Sequence, residues 1–120
     1  MGADPSRSND PAELPSAISG YLVAHTARDT AAALATLAAD AAVTDEGKTY
    51  RGHAEIGQWL TGAATEYTYT TELLGAQRTD AERWTVTQRL EGDFPGGLVD
   101  LRFQFALGGH GLIEQLVIEV

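Results

Sequence analysis

Four polar side chains stand where pattern alone turns them toward apolar surface: Asp45, Tyr21, His25 and Gln88. In the run from Ala41 to Asp45, Asp45 shares a face with Val43 while Thr44 and Glu46 take the other. Strand alternation therefore turns its carboxyl inward. A carboxyl among apolar groups keeps its proton to higher pH and can act as a general base or acid. An aspartate at a strand end also has a plainer use, accepting backbone N–H bonds in the Glu46-Gly47 turn, and pattern does not separate the two. Tyr21 and His25 lie one turn apart on the helical stripe Leu14, Ile18, Tyr21, Leu22 and His25. Tyr21 reads as a hydroxyl donor beside the aspartate or as a core aromatic. His25 reads as a pocket group or as a cation suited to the helix C-terminus. Gln88 is the one amide on an otherwise greasy strand face. A buried amide without a partner costs about 1–3 kcal/mol, so it marks a pocket or a bond to water or backbone.

Five rings share the inward side: Trp59, Tyr69, Trp84, Phe103 and Phe105. They offer faces for a flat ligand to stack on, or they fill the core. His25, His53 and His110 sit on different elements without metal-ligand spacing, and the chain has 0 cysteines. No metal ion, thiolate chemistry or disulfide is expected from that set. The glycine-bearing loops Asp93 to Gly97 and Gly108 to Gly111 join strands and precede no helix, unlike phosphate cradles, so no cofactor is expected.

The elements that must position these groups follow from periodicity. Residues 1–13 are polar and proline-bearing and read as a disordered arm, with the domain spanning 14–120. Asp10 and Glu13 have capping-box spacing, but Pro15 fits better as the first helical residue. Asp29 caps a second helix from Thr30 to about Ala39, with Leu34 and Leu37 inward. A hairpin follows, Ala41 to Asp45 and Lys48 to Arg51, then a third helix from about His53 to Ala64 burying Ile56, Trp59 and Leu60. From Glu66 to Val120 the chain reads as four antiparallel strands with one greasy and one polar face. A turn at Asp80-Ala81 sets Glu72 opposite Arg89, and Arg89 opposite Asp100, on the outer side. Tyr67, Tyr69, Thr71 and Leu73 then share the greasy side with Trp84 and Phe103. Gly75 falls opposite Val86 as a bend, and the broken parity of Ile113, Leu116 and Ile118 requires a bulge near Glu114.

Composition bounds the function. The 120 residues make one domain with room for a core and a modest cavity. Eight basic residues (8) against 17 acids give a net charge of -9, which disfavours nucleic acid as a partner. No apolar run is long enough for a bilayer and the first nine residues lack signal-peptide features, so a cytoplasmic protein with no membrane partner is expected.

The order helix, helix, short hairpin, helix and long meander resembles the NTF2-like superfamily. The segment VTDEGKTYRGHAEIGQWL, residues 43–60, and the tail GLIEQLVIEV resemble its SnoaL-like branch. The resemblance implies an α+β conical barrel, a curved, mostly antiparallel sheet wrapped around three helices with a pocket at one end. Tyr21 with Asp45 is similar to the tyrosine and aspartate of ketosteroid isomerases, oxyanion donor and base. The strand that would supply that family's second acid offers only Leu101, Phe103, Phe105 and Leu107 inward. Arg89 and Arg102 point outward, unlike the inward arginine of the superfamily's epoxide hydrolases. The expectation is an apolar pocket for a small hydrophobic molecule, with proton transfer on a polyketide, steroid or terpenoid, or else binding without turnover. Homodimers through the sheet are common in this fold, and the outer charge ladder reads as a dimer surface or a solvated face.

Overall fold

A computed structural model describes residues 14–62 and 68–120. The expected arm and the Asp10–Glu13 box lie outside the described residues, as do Ala64, Glu66 and Tyr67. Three helices, α1 (Ser16–Thr26), α2 (Thr30–Ala35) and α3 (Gly52–Thr61), accompany six strands. These are β1 (Leu37–Asp45), β2 (Lys48–Arg51), β3 (Tyr69–Asp80), β4 (Arg83–Gly92), β5 (Leu98–Leu107) and β6 (Ile113–Glu119). The sheet runs β2-β1-β6-β5-β4-β3, with β1 and β6 parallel and every other neighbour antiparallel. No helix among the described residues is long and apolar enough to cross a membrane.

The greasy faces meet as alternation demands. Trp84, Val86, Phe103, Phe105, Leu116 and Ile118 are buried together with Ile18, Tyr21, Val43, Ile56 and Trp59. Each fully buried side chain of this size contributes roughly 1.5–3 kcal/mol relative to exposure, so this shared face is the main stabilising element. Arg89 faces Glu72 on one side and Asp100 on the other, and its guanidinium grips Asp100 at 2.8 and 3.2 Å. The bulge expected near Glu114 is there: Ala106 pairs with Gln115 and Leu107 with Ile113, leaving Glu114 extra. That one residue lets Ile113, Leu116 and Ile118 all be buried.

Several boundaries differ from expectation. Pro15 is the N-cap of α1 rather than its first residue. Asp29 does cap α2, accepting from the Ala32 N–H at 3.1 Å, but the helix stops at Ala35 and Leu37 opens a strand. The alanine-rich segment has helical propensity throughout, yet Leu37 pairs with Ile113 and the Ile113 N–H donates to the Thr36 carbonyl at 3.0 Å. Long-range pairing outweighs a local preference worth tenths of a kcal/mol per residue. The β3–β4 turn lies at Ala81-Glu82, one residue later than expected, with Asp80 opposite Arg83. Between Leu73 and Gly75 the register slips, so Gly75 faces Thr87 and Ala76 faces Val86. The extra residue of this bulge, Leu74, is left exposed at 43%.

Candidate functional site

A hollow of about 630 Å³ opens between the helices and the inner sheet face, within the range of small-molecule pockets. Val99, Leu101 and Phe103 of β5 line it with Leu90 of β4, Ile118 of β6 and Phe94 and Pro95 of the β4–β5 loop. Alternation on three neighbouring strands makes that wall apolar.

Asp45 ends β1 at this hollow, half-buried, where the hairpin turn begins. The indole N–H of Trp59 donates to its Oδ2 at 3.1 Å. Burial raises the carboxyl above its ordinary range, against the pull of the Trp59 bond, with Glu46 adding to the rise and its backbone opposing it. The turn and the pocket thus use the same side chain.

Trp59 is itself held in a column of rings from three elements. Tyr21 stacks on His25 at 5.6 Å, His25 on Trp59 at 6.1 Å, and Tyr50 on Trp59 at 6.0 Å. With two rings stacked on it and only 3% of its surface exposed, the indole leaves a flat ligand little face to stack on. The indole contributes an N–H and rigidity instead.

Tyr21 is wholly buried, and its hydroxyl has no hydrogen-bond partner among the described residues. Burial pushes its pKa far up, and nearby Tyr69 and Asp45 push it the same way. It does not line the hollow; His25, stacked in front of it, does. Burial lowers the His25 pKa, aided by Arg28, so the imidazole is neutral at pH 7. Tyr69 also lines the hollow, with the Arg28 guanidinium 5.8 Å from its ring centre. Its pKa is raised by burial, against Arg28 and with Asp45.

Of the residues singled out from sequence, Asp45, His25, Trp59, Tyr69 and Phe103 meet at the hollow. Trp84, Gln88 and Phe105 are buried outside its lining. Trp84 pairs with Phe105 toward the β3–β4 turn, and Phe105 packs edge-on against Tyr21 at 5.8 Å. Gln88 lies between Leu73 and Leu101. His53 donates through Nε2 to the Leu37 carbonyl at 3.0 Å, a structural bond. Arg89 and Arg102 are both outward, in exposed pairs with Asp100 and Glu119. Phe94 and Pro95 were not foreseen as lining; their loop falls beside the inner face only because β4 and β5 pair in this register.

No family model and no curated protein sequence matches the chain. Solved structures do. A candidate polyketide cyclase from Sinorhizobium meliloti is 32% identical, with a TM-score of 0.84 over 92% of this chain and 99% of that one. A Mycobacterium tuberculosis protein solved with estradiol-17beta-hemisuccinate is 17% identical, with a TM-score of 0.72 over 87% of this chain and 90% of that one. The Delta 5-3-ketosteroid isomerase of a Mycobacterium species is 19% identical, with a TM-score of 0.71 over 88% and 90%. The last two are likenesses of fold alone. The chain belongs to the NTF2-like superfamily, in its SnoaL-like branch.

Proposed function

We propose that the protein is a proton-transfer isomerase or cyclase acting on a small hydrophobic ketone of the polyketide, steroid or terpenoid kind. The observation that carries this reading is the Asp45 carboxyl, inside an apolar hollow with one oxygen fixed by the Trp59 indole N–H. A base for carbon acids must be ionised at working pH, basic enough to take a proton, and held still. Burial supplies the basicity and the ring column holds the indole that holds the carboxyl. The names of the cyclase-like and isomerase neighbours support the substrate class, as does an enclosing sheet that we read as a cone around α1 and α3. In the reaction Asp45 takes the proton alpha to the carbonyl and returns it to another carbon of the same conjugated system.

Asp45→Asn keeps an acceptor for the Trp59 N–H but removes the base, so it should lower turnover of a Δ5-3-ketosteroid or polyketide ester about 10²–10⁴-fold. Binding of the same compound should persist. Unchanged turnover in this variant would sink the enzymatic reading. A second reading is favoured by one feature: β5 presents Val99, Leu101, Phe103, Phe105 and Leu107 inward and no second acid. On that reading the hollow binds a hydrophobic molecule without turning it over, and wild type and variant bind alike with no product formed by either. We further read the charged outer face of the sheet as the surface of a homodimer.

A further inference from the structure

A developing enolate oxygen needs a hydrogen-bond donor, and the tyrosine expected to provide it is sealed off. Tyr21 is 0% exposed and outside the hollow's lining. The ring that stands between it and the hollow is His25. We propose that His25 is a catalytic residue of this site, its imidazole N–H donating to the carbonyl oxygen of the bound ketone while Asp45 removes the neighbouring proton.

Three observations carry this. His25 lines the same hollow as Asp45. Its plane is fixed between Tyr21 and Trp59, at interplanar angles of 14° and 15°, and Trp59 is the residue bonded to Asp45. Base and donor are thus braced by one shared indole. Finally, His25 is only partly buried, unlike Tyr21, so part of its ring surface is accessible where it lines the hollow. A neutral imidazole in a buried, partly dry setting is a suitable electrophile, since it polarises the oxygen without handing over a full charge. Burial favours that neutral form. Tyr21 becomes the backing of the imidazole and a positioning residue.

The step balances without any co-reactant. The carbon–hydrogen bond alpha to the carbonyl breaks, its proton goes to the Asp45 carboxylate, and the electron pair forms a carbon–carbon double bond. The carbonyl π electrons move to the oxygen, which the His25 N–H stabilises. Reprotonation at the distal carbon by Asp45 regenerates both groups, with no net oxidation.

The proposal rests on the proton-transfer reading above, and the test separates the two. With 5-androstene-3,17-dione as substrate, His25→Phe keeps the stack and should lower kcat about 10²–10³-fold, as for loss of one oxyanion donor. KM should move less than about 3-fold, because the interaction grows only in the transition state. His25→Gln, which restores an N–H donor, should recover at least about 10-fold of that loss, and Tyr21→Phe should cost less than about 10-fold. As a readout of contact, the His25 ring nitrogens, followed by ¹⁵N NMR, should shift when progesterone is added. Normal kcat in His25→Phe alongside lost turnover in Asp45→Asn overturns this inference and leaves the proton-transfer reading standing. A larger loss in Tyr21→Phe than in His25→Phe overturns it too, as does progesterone binding with His25 unmoved. A protein that neither binds nor turns over these ketones fails at the pocket reading and removes both.

Discussion

At the scale of single residues, Asp45 is held in a setting that makes its charge costly, and that has a measurable signature. A carboxyl whose pKa is raised in the native chain holds its proton longer there than in the unfolded chain. Its contribution to stability is therefore full below its ordinary value of 3.8 and is lost as pH climbs through the raised one. Asp45→Asn removes that loss while keeping the bond to Trp59, so the variant should melt above wild type at pH 7. The gap should close as pH falls toward 3.5. Equal melting temperatures at neutral pH would mean the carboxylate is as well solvated as in a free chain. His25 works in the other window: its pKa is lowered from 6.5, so protonation opposes folding as pH falls below that value. On the roles proposed for them, both groups would place function against stability, as general acid–base sites commonly do.

At the scale of elements, the site depends on how strands end. The β4–β5 loop brings Phe94 and Pro95 to the hollow and is tied to the start of β3. There the Thr68 N–H donates to Asp93 Oδ1 at 2.9 Å and the Asp93 N–H donates to the Thr68 carbonyl at 3.1 Å. Gly92 makes this approach possible, because a Cβ there would meet the Thr68 carbonyl oxygen and come within 2.7 Å of the Tyr69 Cα. Those are backbone atoms and cannot swing aside. Gly92→Ala should cost about 1–3 kcal/mol in urea melts, as overpacking does. It should also weaken ligand binding by displacing Phe94. A neutral effect on both would show that the loop is not braced here.

At the scale of the whole molecule, charge would govern the proposed association of two copies. The chain carries a net charge of -9, while the outer sheet face carries alternating pairs, Arg89 with Asp100 and Arg102 with Glu119. A homodimer through that face would match opposite charges locally against net repulsion between copies. Screening reduces the long-range repulsion more than the contacts, so the dimer should tighten between about 10 mM and 150 mM salt, where the Debye length shortens from ~30 to ~8 Å. Sedimentation equilibrium at several salt concentrations tests this. A monomer at every salt concentration would remove the dimer and leave a solvated face.

By itself the sequence did not determine the slip at Leu74 that turns Ala76 inward, but it did determine which side of β4 and β5 is buried, the register that sets Arg89 between Glu72 and Asp100, and the need for an extra residue near Glu114. Those are matters of period-two alternation and nearest-neighbour charge, and both are local. It misjudged residues 37–39, because an alanine-rich stretch carries little information until a distant strand claims it. Only the tertiary structure decided which inward side chains line the hollow and which fill it. Tyr21 and His25 share one helical stripe, yet one is sealed and the other faces the pocket. Whether a ring fronts a cavity depends on what α3 and β2 lay against it, and that is set where elements cross in space, not by their spacing along the chain.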